Sequence, residues 1–214
     1  MTTTLSVRDA VAASLREAPI VGVVRTATID EAERQARTLI AGGVTLIEIT
    51  FSVPGATELV RNLLHQYPGD KAPWIGMGTV TNRARADEAV AAGARFLVSP
   101  NCSEDVAAVA REHDLFLFLG AVTPTEIVRA RELGADVVKV YPLPPIGGPA
   151  YLKVVRLPLA DIPMLAGGGF PVSEIPAYRA AGACAFGMAA PLLGAVADIP
   201  RALRLARGES GESA

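Results

Sequence analysis

Three lysines occur in the chain, Lys71, Lys139 and Lys153, and only Lys139 has the wrong surroundings for a lysine. It sits in the apolar run Val137-Val138-Lys139-Val140, whereas Lys71 falls in a Pro/Gly loop, where solvation is expected, and Lys153 on a helical stretch from which it can snorkel to water. Stripping water from a lysine disfavours the ammonium and favours the nucleophilic free amine. Such an amine adds to a ketone, and the imine it forms draws electrons from the neighbouring carbon. Glu48 is a carboxylate embedded in a second apolar run, Leu46-Ile47-Glu48-Ile49-Thr50, and is the natural proton carrier for that chemistry. The same two side chains would serve equally as a structural ion pair, so local pattern leaves both readings open.

Weaker signals lie at other strand ends. Arg25 could grip a carboxylate bidentately, or be an exposed rim arginine. Thr79, after Gly78, could donate to a substrate carboxylate or cap a turn. The run Gly167-Gly168-Gly169 could offer backbone N–H groups to a phosphate, helped by a following helix N-terminus, or only mark a tight turn. His65 and His113 fall near helix ends without partners at ligand spacing, so neither a metal nor a cofactor is expected. No nucleophile elbow or Ser-His-Asp arrangement is present. Cys102 reads as a small packing residue.

These residues need elements to hold them. Short runs rich in Val and Ile begin near residues 20, 44, 73, 95, 115, 136, 162 and 183. Continuous apolar runs of this length fit parallel strands covered on both faces. Ala-rich, charge-bearing helical stretches follow them. Thr28 with Glu31 reads as a capping box, as does Thr123 with Glu126, with Pro124 at the first helical position. Gly42-Gly43, Gly93, Gly134 and Gly182 stand where left-handed helix caps belong. Eight βα units predict an α/β fold, a (β/α)8 TIM barrel, as one domain over residues 1–214. An extra N-terminal helix over 5–18 should close the barrel bottom, and 208–214 should form a flexible tail. The rival, an open doubly wound sheet, needs a Gly-rich loop after the first strand, and Arg25-Thr26-Ala27 is not one.

Composition narrows the function. The chain has 214 residues, half of them hydrophobic, and a formal net charge of -2. That balance fits a large core and lacks the basic face of a nucleic-acid binder. No signal peptide or membrane span is expected. Two distant cysteines, Cys102 and Cys184, fit a reducing cytoplasm.

At these residues the sequence resembles the 2-keto-3-deoxy-6-phosphogluconate aldolase family, which includes 4-hydroxy-2-oxoglutarate and phosphogalactonate aldolases. The matching pieces run in order: AGGVTLIEITFSVPGA at 41–56, GMGTVTN at 76–82, LVSPN at 97–101, GAVTPTE at 120–126, KVYP at 139–142 and GGGF at 167–170. The resemblance implies a class I aldolase that reversibly cleaves a 2-keto-3-deoxy sugar acid to pyruvate and an aldehyde. Lys139 then matches the Schiff-base lysine, with Tyr141 in place of the usual Phe two residues on. Glu48 matches the general acid/base, Thr79 the threonine on the pyruvyl carboxylate, and Pro100 a proline lining the same pocket. Some members carry an arginine where this chain has Ser52. Those without it tend to have one at the position of Arg25, to which carboxylate or phosphate binding is assigned. The family is typically a homotrimer without metal.

Two departures touch the far end of the substrate. Relatives resemble Thr-Gly-Gly where this chain has Gly167-Gly168-Gly169, and carry Gly-Ser where it has Ala189 and Ala190. Each lost hydroxyl removes a phosphate hydrogen bond worth about 1.5–3 kcal/mol. Backbone N–H groups of Gly168, Gly169 and Ala190 would remain. The rivals to an aldolase are a sugar-phosphate isomerase or epimerase on the same fold, which needs a metal or paired carboxylates not visible here, and a non-catalytic ligand-binding barrel.

Overall fold

The computed structural model describes residues 6–69 and 72–209. Leu5, Lys71 and the tail from residue 210 lie outside the described residues, so the expectations placed on them are not addressed by the structure. Eight parallel strands close into a barrel in sequence order. They are β1 (Ile20–Val24), β2 (Leu46–Thr50), β3 (Trp74–Gly78), β4 (Phe96–Val98), β5 (Phe116–Ala121), β6 (Val137–Val140), β7 (Met164–Gly167) and β8 (Ala185–Ala189). The helices are α1 (Val7–Glu17), α2 (Ile29–Ala41), α3 (Ala56–Gln66), α4 (Arg83–Ala91), α5 (Glu104–Glu112), α6 (Pro124–Glu132), α7 (Gly148–Arg156), α8 (Ile175–Ala180), α9 (Ala190–Leu193) and α10 (Ile199–Arg207).

Several strands begin one or two residues later than the apolar runs do. Val44 shows why: its N–H still bonds the Leu39 carbonyl at the end of α2, so its side chain joins the core before its backbone joins the sheet. The expected glycine caps are present, with Gly43, Gly93, Gly134 and Gly182 all at positive φ. Thr123 and Glu126 form a full capping box with Pro124 in the first turn. Thr28 does not. Its hydroxyl accepts the Glu31 N–H, but the Glu31 carboxylate turns outward to the Arg34 guanidinium and the Gln35 side-chain amide, a charged and a neutral donor one turn on that outcompete the backbone.

The core has two compartments. Outward-facing residues such as Ile47, Ile49, Val138 and Val140 pack against the helices. Inward-facing Leu46, Phe96, Val98, Phe116, Phe118, Val137 and Leu165 fill the barrel with Val11 and Leu15 of α1. α1 therefore packs its apolar face against the inner cluster of the barrel. This filling occupies the lower part only. Higher up, alternation along the strands brings Gly78, Gly120, Gly167 and Gly187 to the inner face. The missing side chains make room at the barrel mouth, for Glu48 beside Gly78 and for the Pro100 backbone beside Gly120, and the mouth is where TIM barrels carry their sites.

Candidate active site

Lys139 and Glu48 are the long side chains that project into this hollow. Each follows an inward apolar residue by two positions, Val137 and Leu46 respectively, so strand alternation dictates their direction. Lys139 Nζ stands 3.5 Å from Glu48 Oε2, with the lysine side chain 13% and the glutamate 2% exposed. The carboxylate is shut in, while the amine borders open space. The amine also lies 5.6 Å from the Tyr141 ring centroid. Gly78 makes room for Glu48: a Cβ there would come within 2.5 Å of the glutamate Cγ and Cδ. Gly120 likewise admits the Pro100 backbone, into which its Cβ would run.

The cavity above the pair has a volume of about 510 Å³ and is lined by Val23, Arg25, Glu48, Thr79, Pro100, Lys139, Tyr141, Pro142, Gly168, Gly169, Gly187 and Ala189. This is the size of a small-molecule pocket. Every site residue expected from the sequence lies here except Ala190. Ala190 opens α9 and is buried; it lines a separate cleft against α2 with Glu31, Gln35 and Leu39. Ala189, one residue earlier and on the inward side of the alternation, takes its place in the pocket wall. Gly168 and Gly169 adopt positive φ, and only a short turn and the six-residue α8 follow them.

One wall is a polar array. Arg25 donates from Nη1 to Ser52 Oγ at 2.9 Å and from Nη2 to Thr79 Oγ1 at 3.1 Å. Thr50 Oγ1 donates to the Val24 carbonyl and lies 2.8 Å from Ser52 Oγ. Arg25, Ser52 and Thr50 therefore form a chain anchored on the backbone of β1. Thr79 receives a hydrogen bond from Arg25, which leaves its own hydroxyl proton free to be donated into the pocket. Thr79 also has φ of 60°, a left-handed conformation that costs a β-branched residue about 1–2 kcal/mol. Ser52 and its contact with Arg25 could not be read from local pattern, because the two residues lie 27 apart in sequence.

Outside the pocket, the remaining chemical candidates fall away. The Cys102 thiol has the Gly120 and Glu126 carbonyls within reach of its single S–H, and burial pushes its pKa and that of the Cys184 thiol up. Both are thereby held as thiols, the poorer nucleophilic form. His65 lies in the last turn of α3 and His113 caps α5. Among the described residues no group of three or more His, Cys, Asp or Glu is gathered as metal ligands would be, and no helix is long and apolar enough to cross a membrane.

Comparison with known proteins follows the same lines. A family model described as KDPG and KHG aldolase matches residues 11–196. The chain is similar to the 2-dehydro-3-deoxy-phosphogluconate aldolase of Pseudomonas aeruginosa, with 34% identity over 168 residues, covering 77% of this chain and 74% of that one. It is 32% identical over 167 residues to the protein of the same name in Treponema pallidum, covering 78% of each. Among solved structures, the 2-keto-3-deoxy-6-phosphogluconate aldolase of Zymomonas mobilis ZM4 with 3-phosphoglycerate superposes with a TM-score of 0.79 at 26% identity, over 96% of this chain and 98% of that one. A closed (β/α)8 barrel with relatives of this kind defines an aldolase, a lyase that makes and breaks carbon–carbon bonds. More narrowly, the chain belongs to the KDPG and KHG aldolase family.

Proposed function

We propose that this aldolase works through a Schiff base on Lys139 and reversibly cleaves a 2-keto-3-deoxy sugar acid to pyruvate and an aldehyde. The observation that carries the reading is the Lys139–Glu48 pair: an amine and a carboxylate 3.5 Å apart beneath an open small-molecule pocket. An ion pair serving only stability would gain nothing from the glycines that clear space around it.

The steps follow from the groups present. Lys139 Nζ adds to the C2 ketone, and loss of water from the carbinolamine gives an iminium. Glu48 takes the C4 hydroxyl proton as the C3–C4 bond breaks; the bond electrons flow into the iminium and leave a pyruvyl enamine. The aldehyde departs, C3 is protonated, and water hydrolyses the imine to pyruvate and free Lys139. Thr79 donates its hydroxyl to the substrate carboxylate, and the Arg25 guanidinium offsets that charge with its unused donors. Pro100 and Tyr141 flank the pyruvyl group as apolar walls.

The far end of the substrate meets Gly168, Gly169 and Ala189. The structure of the Zymomonas mobilis relative contains 3-phosphoglycerate, which supports a phosphorylated substrate. This chain offers backbone N–H groups there and no hydroxyl from Gly167, Ala189 or Ala190. We therefore expect 2-keto-3-deoxy acids as the class, with a weak demand for phosphate. The homotrimer implied by the resemblance belongs to the same proposal and is tested by light scattering. The function itself is tested by coupling pyruvate release from 2-keto-3-deoxy-6-phosphogluconate to lactate dehydrogenase. Absence of pyruvate release from this substrate, its unphosphorylated form and 4-hydroxy-2-oxoglutarate would reject the reading.

A further inference from the structure

Arg85, on the first turns of α4, lies outside the pocket lining, yet its contacts converge on a pocket residue. Its Nη1 donates to the Thr79 carbonyl at 3.1 Å and to Thr81 Oγ1 at 3.3 Å. Its guanidinium lies over the Phe51 ring, 5.4 Å from the centroid. Several other arginines pair with carboxylates, as Arg37 does with Glu33, Arg83 with Glu112 and Arg8 with Asp136, while Arg111, Arg131 and Arg156 reach backbone carbonyls far from the pocket. Among the described residues no carboxylate pairs with Arg85. Besides Thr81, just ahead of α4, its donor goes to Thr79, the one threonine among the described residues whose backbone is left-handed.

The neighbouring backbone explains why that help is needed. The Gly78 carbonyl accepts the Phe51 N–H, and the Val80 N–H bonds the Val98 carbonyl. Thr79 sits between these two fixed points, at the step where the chain leaves the sheet. A threonine at positive φ will relax to an ordinary conformation unless something holds the peptide turned. Arg25 holds its side chain and Arg85 its carbonyl. The ring face of Phe51, directly after β2, fixes the plane of the guanidinium.

We infer that Arg85 is a positioning residue for the carboxylate subsite: it locks the Thr79 peptide so that the hydroxyl faces Arg25 and the pocket. The inference rests on the reading that Thr79 contacts the substrate carboxylate. Arg85 touches no reacting atom and acts through Thr79 alone. Its loss should therefore weaken binding of the pyruvyl half in ground and transition states alike, which raises KM with little change in kcat.

The test compares Arg85→Met, Arg85→Lys, Thr79→Val and the double variant Thr79→Val/Arg85→Met. The readouts are kcat and KM for 2-keto-3-deoxy-6-phosphogluconate, the inhibition constant of pyruvate, and Tm. Methionine keeps an apolar stem on Phe51 and removes the donors. We expect Arg85→Met to raise KM and the pyruvate constant about tenfold, with kcat within about twofold. Lysine supplies a point charge without the planar fork, so Arg85→Lys should show a smaller rise of about threefold. In the double variant the two effects should not add, because one acts through the other. A lower Tm with unchanged KM and pyruvate constant in both Arg85 variants, or simple additivity in the double variant, overturns the inference and makes Arg85 a brace. If Arg85→Met fails to fold, an unchanged KM in Arg85→Lys has the same force. An unchanged KM in Thr79→Val instead rejects the carboxylate role of Thr79, and that outcome is distinct from one in which Thr79→Val raises KM and the Arg85 variants do not.

Discussion

The Glu48 side chain occupies the space that a side chain at Gly78 would fill: a Cβ at Gly78 would lie 2.5 Å from both Glu48 Cγ and Cδ. The two residues lie on neighbouring strands, where Thr50 is the register partner of Gly78 and Glu48 that of Gly76. The place of the Glu48 carboxylate therefore depends on the absence of an atom one strand away. At Gly120 the vacated space admits the Pro100 backbone, whereas in the packed lower barrel Phe96, Phe116 and Phe118 fill the interior.

Gly78→Ala should leave the barrel folded and displace Glu48, since the carboxylate end of the side chain can swing away. A shift of about 1 Å in a catalytic group costs roughly a hundredfold in rate. We expect kcat to fall by about 10- to 100-fold with Tm lowered by only a few degrees. Steady-state kinetics with a thermal melt checks this; an unchanged kcat would mean that Glu48 does not work from the position described.

Glu48→Gln keeps the shape and removes the proton acceptor. General acid–base catalysis contributes about 10²- to 10⁴-fold, so kcat should fall within that range, and the pH profile of kcat/KM should lose one limb. The amide remains able to accept a hydrogen bond from Lys139, so Tm should change little. A loss below tenfold would move the proton carrier elsewhere.

Phosphate discrimination should be modest. Without hydroxyls at Gly167, Ala189 and Ala190, the ratio of kcat/KM for 2-keto-3-deoxy-6-phosphogluconate to that for its unphosphorylated form should be below about tenfold, or 1.4 kcal/mol. A ratio of several hundred would show that backbone N–H groups suffice for the phosphate.

The capping box of α6 gives a stability signature with a defined sign. The Val122 and Thr123 N–H groups and the Thr123 hydroxyl all donate to Glu126, and the Thr123 N–H leads the causes that hold its carboxyl below the usual 4.5. A carboxyl lowered in the folded state adds stability that is present above 4.5 and is lost as pH falls through the folded value. Thr123→Ala should cost about 1 kcal/mol. The stability gap between the parent and Glu126→Gln should narrow as urea melts are taken from pH 7 to pH 3; a gap independent of pH would contradict the assignment. Solvent exposure keeps this contribution small.

What could be read in advance follows the range of the interaction. Eight apolar runs and their glycine caps are local patterns, and they predict the barrel. Lys139 and Glu48 stand out because an ionisable side chain in an apolar strand breaks a local rule. The roles of Ser52 and Arg85 depend on which residues the closed sheet brings beside Arg25 and Thr79, so no spacing along the chain reveals them. The Thr28–Glu31 motif has the letters of a capping box, but Arg34 and Gln35 compete for the carboxylate. The end of β8 turns the Ala190 side chain toward α2 and leaves Ala189 in the pocket wall, a step that no spacing along the chain reveals.

If Lys139 forms the imine with the substrate ketone, reductive trapping captures that bond itself. The protein is incubated with pyruvate and sodium borohydride, digested and analysed by mass spectrometry. The peptide carrying Lys139 should gain a carboxyethyl group, activity should fall in step with the modification, and Lys139→Ala should show no trapping. An unmodified Lys139 peptide, or turnover retained in Lys139→Ala, would contradict imine formation at Lys139.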